Sequence, residues 1–402
     1  MTARRSVNRN IVVLTLAQAL GAAGPPIVFS LGGLVGQRLS EDPALITLPV
    51  SLFNLGLALG TLPAGALVRR GGRRNAYLLG ALLGVAGGCL AAAGIILESF
   101  AAFCLGTFAS GAYAAFVQSY RFAAADGLEE PQRAKAISFV MVGGLLAAVI
   151  GPQIVIWTKG AVEGAPFAGS FLGQAALGLL ALPVLLLLRQ PAAERSGPRG
   201  EGRSLGAFLR MPRYILAVGA GVVSYGLMTF VMTAAPIAMV GHGHSVDHAA
   251  LGIQWHVLAM FGPSFFTGQL IARFGKETIT AAGLLLIAGS AVLALTGLGL
   301  HTFWGSLILL GLGWNFGFIG ATAMITDCHS PAERGVAQGA NDFIVFGLVA
   351  AASFFSGSLL HSSGWSMVNW VVFPAVALVV VPLLWRIGSA GSAPTLVSRT
   401  KP

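Results

Sequence analysis

The sequence predicts an all-α integral membrane protein of twelve transmembrane helices in two six-helix bundles. Three observations predict it. The 402 residues are 55% hydrophobic and only 9% charged, whereas soluble proteins carry about 25% charged residues. Apolar runs of spanning length recur twelve times. Two sequence echoes separate the first six runs from the last six by nearly one offset. At roughly 20 apolar residues per span and ~30 with its connection, the length holds about a dozen spans and leaves no room for a soluble catalytic domain.

The runs fall at 10–37, 44–68, 75–97, 99–124, 136–158 and 167–188, then at 213–240, 249–272, 278–299, 303–327, 336–360 and 367–388. The first follows MTARRSVNRN and resembles a signal peptide only superficially. Its apolar stretch is near 28 residues and no small-residue cleavage site follows a short core, so it is expected to remain as a helix. The many glycines, 55 in all, suit membrane helices that pack closely. The longest interval, RQPAAERSGPRGEGRSLGAFLRMP, is rich in Arg, Gly and Pro and reads as a polar linker. The expected organisation is a bundle over 1–188, a linker over 189–212, and a second bundle with a tail over 213–402.

Orientation follows from the cations. Arg4, Arg5, Arg9, Arg69, Arg70, Arg73, Arg74, Arg121, Arg133, Lys135, the six arginines from Arg189 to Arg213, Arg273, Lys276, Arg334, Arg386, Arg399 and Lys401 all gather at one side. Only Arg38 and Lys159 of the 24 fall on the other. The positive-inside rule then places both termini in the cytoplasm. The net charge of +10 is thereby topology and not a nucleic-acid patch. Cys89, Cys104 and Cys328 offer no disulfide or zinc spacing.

The two halves echo each other. Gly65-Ala-Leu-Val-Arg-Arg-Gly-Gly72-Arg73-Arg74 after the second run matches Gly268-Gln-Leu-Ile-Ala-Arg-Phe-Gly275-Lys276 after the eighth, displaced by 203 residues. Asp126 with Arg133 matches Asp327 with Arg334, displaced by 201. A duplicated six-helix unit explains both. On these motifs the chain resembles the major facilitator superfamily, whose loop signature is G-x-L-a-D-r-x-G-r-r. The resemblance implies two bundles rocking about a central site. The sequence departs from the signature at its acidic position, which is Arg69 in one half and Ala272 in the other. The usual gating ion pair of that loop thus lacks its acid.

Within the spans, polar chemistry is sparse. Asp342, about six residues into the eleventh run and beside Asn341, is the deepest carboxylate, ~9 Å inside. It reads either as a proton site or as a helix-to-helix hydrogen-bonding residue, and Asp126, Arg133, Asp327 and Arg334 join it as candidates for proton coupling or gating. Met228 and Met232 in the seventh run, and His256 and Met260 in the eighth, are each four apart and so share a helix face. Counted inward from the loop between them, Met232 and His256 lie ~12 and ~10 Å deep, and Met228 and Met260 ~18 Å deep. Thioethers and an imidazole at matched levels would suit cuprous ion, and ordinary packing is the competing reading. Pro263 is expected to free the Ala259 carbonyl and kink the eighth helix.

At these four residues the chain also resembles the CcoA-like family of bacterial copper importers, with M-x-x-x-M in the seventh helix and H-x-x-x-M in the eighth. That resemblance implies copper as the transported substrate, with Met228, Met232, His256 and Met260 as its ligands. It also implies a multi-pass protein of the bacterial inner membrane that supplies copper for cytochrome oxidase assembly. His242, His244 and His248 in the loop GHGHSVDH would then be an outer collecting loop or simply solvated. Cys328 and His329 would pass the ion to a cytoplasmic copper acceptor. No tightly bound cofactor, no nucleic acid, no enzyme activity and a monomer are expected. HExxH, G-x-S-x-G and intramembrane carboxylate pairs are missing from the sequence. Two further readings stand beside this one: an exporter of hydrophobic drugs or metabolites, favoured by Gly143 to Gly151-Pro152 in the fifth run, and a non-transporting assembly scaffold.

Overall fold

The computed structural model describes residues 2–126, 128–189, 203–330 and 333–391. Residues 190–202 of the expected linker, the tail beyond 391, and the side chains of Arg4, Arg5 and Arg334 lie outside the described residues.

Every apolar run forms a helix, as a chain in lipid must satisfy its own backbone. The first span is α1 (Thr2–Gly21) and α2 (Gly24–Leu39), broken just before Pro25 and Pro26, which have no N–H to continue the ladder. The long α3 (Leu48–Ile96) holds the second and third spans, and α4 (Phe100–Ala125), α5 (Glu130–Thr158) and α6 (Ala168–Leu186) complete the first six. After the short α7 (Leu205–Phe208), the seventh span is α8 (Pro212–Gly241), and the eighth is divided into α9 (Val246–Phe261) and α10 (Ser264–Phe274). Next come α11 (Lys276–Leu295) and α12 (Leu300–Thr326). The last two spans are carried by α13 (Arg334–Trp370), which turns at Gly364, and α14 (Val372–Gly391). The described residues therefore contain twelve spans in two sets of six, the expected fold.

The expected kink in the eighth span falls at Gly262-Pro263, where the hydrogen-bond ladder is interrupted although both residues keep helical φ and ψ. Asn315 of α12 repairs it: its amide nitrogen donates to the Met260 carbonyl at 2.6 Å and to Ser264 Oγ at 2.8 Å, while its oxygen accepts from Thr267 at 2.5 Å. A broken membrane helix is tolerated only where such partners take the freed groups.

The echo between the halves has a conformation as well as a sequence. Gly72 turns the chain between the second and third spans at φ 75°, and Gly275 does the same between the eighth and ninth at φ 88°. Both values lie in the left-handed region that favours glycine. The next residue in each half is basic. Arg73 pairs with Asp126 at the end of α4, and Lys276 donates to Asp327 at the end of α12 at 2.5 Å, with Arg213 on the other oxygen at 2.8 Å. The loop lacks the signature's acid, yet it is still clamped in both halves, by its base.

Close helix crossings use glycine on both sides of the duplication. A Cβ at Gly111 would stand 1.9 Å from the Phe53 carbonyl oxygen, and one at Gly283 would stand 2.1 Å from the Gly317 nitrogen. Gly143 and Gly151 sit where α5 crosses the first span, against the carbonyls of Thr15 and Ala23. Without a strong hydrophobic force between helices in lipid, such close approach is what holds them.

Among the described residues, the side-chain bonds between the halves gather at one end. At the end away from the basic loops, Lys159 pairs with Asp247, and Gln153 donates to Gln254 at 3.0 Å. Deeper in, Thr47 donates to the Phe354 carbonyl at 3.0 Å and Asn54 to Ser353 at 3.2 Å. One apolar core runs along the second half and takes in first-half residues at that end, such as Val35, Ile46 and Phe171, whereas toward the basic end a second core, from Val13 to Leu188, belongs to the first half alone. The cleft between the halves accordingly opens at the basic end.

Candidate functional site

Five aromatic rings from four helices of the second half build one wall. Trp314 and Phe318 stand four apart on α12, so they share a face, and their rings stack at 5.3 Å with 16° between planes. Tyr225 of α8 meets Trp314 at 5.4 Å, Phe318 at 5.1 Å and Phe346 of α13 at 5.7 Å, all at steep angles. Phe261, the last residue of α9, closes on Trp314 at 5.9 Å. Edge-on and offset contacts of this kind are the favoured geometry of aromatic pairs. Tyr225 lies 13 residues from the basic end of its helix, and Trp314 and Phe346 lie 12 residues from theirs. At 1.5 Å per residue the three rings therefore share a level, ~18 to 20 Å in.

Several polar atoms around this wall have no partner. Trp314 Nε1, Ser224 Oγ, Asn341 Oδ1 and, on the opposite half, Arg121 Nε are all buried without a hydrogen bond. Native structures leave few such groups, so each invites an explanation. Arg121, on α4, is in electrostatic reach of Tyr225 and Asp342 across the cleft, and its guanidinium lies over the Phe122 ring at 4.8 Å. Asp342 is exposed although it is eight residues inside α13, and it accepts from Asn341 at 3.0 Å. An aromatic wall beside unused polar groups can hold a planar molecule with polar edges. The enclosed space among Ser110, Tyr113 and Gln174 in the first half, about 10 Å³, holds no more than a water.

The four residues expected to form a metal site are all buried: Met228 at 2%, Met232 at 3%, Met260 at 6% and His256 at 0% exposure. The three methionines belong to the apolar core that spans both halves. The imidazole of His256 is aimed at α12, where Nδ1 meets the Leu307 carbonyl at 2.7 Å. The outer loop does not gather its histidines into a cage. His244 is held by the Leu298 carbonyl at 2.8 Å, His242 and His244 pack on Phe303, and His248 packs on Trp304. Among the described residues no three His, Cys, Asp or Glu side chains converge. Cys328 is 3% exposed, with its thiol toward the Met324 carbonyl at 3.5 Å, and burial pushes that thiol up from its ordinary pKa. His329 is engaged by Ser330 and Gln338. Of the gating candidates, Asp126 and Asp327 serve the loop clamps, and Arg133 donates to the Leu128 carbonyl at 3.3 Å.

Sequence reasoning missed the aromatic wall and Arg121. The same depth count that matches Met232 with His256 also matches Tyr225, Trp314 and Phe346.

A family model for the Major Facilitator Superfamily matches residues 10–354. Among curated proteins, the riboflavin transporter RfnT of Brucella anthropi is 69% identical over 395 residues, covering 98% of this chain and 99% of its own. Two uncharacterized MFS-type transporters of Bacillus subtilis, YddS and YdeG, are each 30% identical and cover 94% of this chain and 90% and 92% of theirs. Among solved structures, the nucleoside transporter NupG, in a point-mutant form, shares the fold with a TM-score of 0.72 at 15% identity, covering 94% of this chain and 99% of its own.

The first of these relatives overturns the copper expectation. A protein 69% identical from end to end is a riboflavin transporter, so copper as substrate, metal binding, a role in cytochrome oxidase assembly and a copper-accepting partner are all corrected. Met228, Met232, His256 and Met260 show why the pattern misled. M-x-x-x-M and H-x-x-x-M are also the spacings by which long apolar side chains and an imidazole fill one helix face.

Proposed function

This chain belongs to the major facilitator superfamily, and within it we propose a riboflavin importer of the bacterial inner membrane, working by alternating access with both termini in the cytoplasm. The near-full-length identity of 69% to a riboflavin transporter carries the proposal. The cleft is consistent with it chemically. Riboflavin is a planar tricyclic ring with carbonyl oxygens on one edge and a polyhydroxyl chain, and it is uncharged near neutral pH. The wall of Trp314, Phe318, Tyr225, Phe346 and Phe261 offers the ring an aromatic surface, and Asp342, exposed eight residues inside α13, offers a polar contact beside it. With the cations assigned to the cytoplasm, a cleft open at the basic end is the inward-facing state. Substrate would enter after Lys159, Asp247, Gln153 and Gln254 separate at the other end.

Growth tests the proposal. In a bacterium that neither makes nor imports riboflavin, the chain is expected to restore growth at low external riboflavin. Failure to restore growth, with the protein present in the membrane, would contradict it.

A further inference from the structure

We infer that Arg121 is the specificity-determining residue that binds the carbonyl edge of the planar ring this carrier takes, an inference that rests on the riboflavin reading. Arg121 belongs to the first half and faces the second, where Tyr225 and Asp342 lie within its electrostatic reach. Its guanidinium makes no ion pair with a described carboxylate within 4.0 Å, and its Nε is buried without a partner. Arg121 stands four residues from the basic end of α4, ~6 Å in, and a cation there with a buried, unused nitrogen is expected to have a task. It also keeps its charge when desolvated and offers donors in a rigid planar fork.

The position of this cation relative to the wall gives it that task. Tyr225 touches Trp314, Phe318 and Phe346, so it is the wall's centre, and it is also the wall residue within the electrostatic reach of Arg121. A flat ring lying against the wall therefore presents an edge toward the guanidinium. The edge that rewards a fork of donors is the one bearing carbonyl oxygens, since charge-assisted hydrogen bonds to such acceptors are stronger than neutral ones. Sugars and aliphatic drugs offer no such edge. The inferred ligand class is planar heterocycles with ring carbonyls, flavins among them. Arg121 thus bridges the halves through the substrate, which links occupancy to their relative motion.

Binding by purified protein, followed through quenching of flavin fluorescence, tests this. Riboflavin should bind the unaltered protein. Arg121→Gln should weaken it about tenfold or more, and Arg121→Lys should recover part of the loss. Flavins with sulfur in place of a ring carbonyl oxygen should bind the unaltered protein poorly and lose little further in Arg121→Gln, a coupling that a merely structural arginine would not produce. An unchanged Kd in Arg121→Gln would overturn the inference and leave the riboflavin reading intact. Full transport by the charge-swapped pair Arg121→Asp with Asp342→Arg would overturn it too, by identifying the two as a closing ion pair. Absence of riboflavin binding by the folded, unaltered protein would overturn the riboflavin reading and this inference with it.

Discussion

Lys276 donates to Asp327 at 2.5 Å, and the same pair recurs in the first half as Arg73 with Asp126. Each clamp fastens the turn at Gly275 or Gly72 to the end of the following hairpin's second helix, so two helices move as one piece. These ions are partly exposed, and a surface pair contributes about 0 to 1 kcal/mol. Asp327→Asn should therefore shift the melting temperature of the purified protein little, yet lower the transport rate by loosening the clamp. A large loss of thermal stability with normal transport in the surviving protein would count against a mechanical role.

At the opposite end the lock between the halves can be inverted. Lys159→Asp places like charges at the contact with Asp247 and should favour the outward-open state, so substituted cysteines lining the far end of the cleft become more reactive. Adding Asp247→Lys restores opposite signs and should restore the original reactivity. Cysteine labelling that stays unaltered through both changes would show that Lys159 and Asp247 do not hold the halves together.

Acid stability should depend on Glu333. Its carboxylate takes two nitrogens of the Arg203 side chain at 2.7 and 2.9 Å, with the Ser330 backbone N–H at 2.9 Å, and stays well below the usual carboxylate pKa, with Arg203 as the first cause. A carboxylate depressed in the folded state contributes stability above its unfolded pKa, about 4.3, and that contribution is lost as pH falls through the folded value. Melting temperature should thus be insensitive to this group from pH 7 to about 5 and decline below it. Glu333→Gln should flatten part of the decline. An identical acid profile in that variant would place the acid sensitivity elsewhere.

Glycine packing makes a prediction with its own control. Gly283→Ala forces a methyl group to within 2.1 Å of the Gly317 nitrogen, and overpacking of this kind costs about 1 to 3 kcal/mol. Gly289→Ala, on the same helix, meets nothing within 4 Å and should be nearly neutral. Equal melting temperatures for the two variants would mean that α11 and α12 approach less closely than described.

The fold was legible because lipid imposes simple rules. Twelve apolar runs, the one-sided cations and the echo from Gly72 to Gly275 are consequences of span length, charge placement and duplication, and each is written along the chain. Pro263 was legible as a kink for the same reason. Its repair by Asn315 was not, because it joins residues 48 to 55 positions apart on helices whose rotation the sequence does not state. The site failed to show for two reasons. Met228, Met232, His256 and Met260 matched a ligand spacing that is also a packing spacing, so the pattern could not separate the two. Arg121 reads as one of the topology cations, since a chain of letters does not reveal that Tyr225 and Asp342 come within its electrostatic reach. The aromatic wall needed α8, α9, α12 and α13 brought together before it existed.

Purified protein in sealed proteoliposomes tests the central claim most directly, with labelled riboflavin outside and an excess of unlabelled riboflavin trapped within. Saturable accumulation of label by counterflow, missing from protein-free vesicles and lost in Arg121→Gln, is the predicted result. Label at the level of protein-free vesicles, with the reconstituted chain folded and correctly inserted, would contradict riboflavin as its substrate.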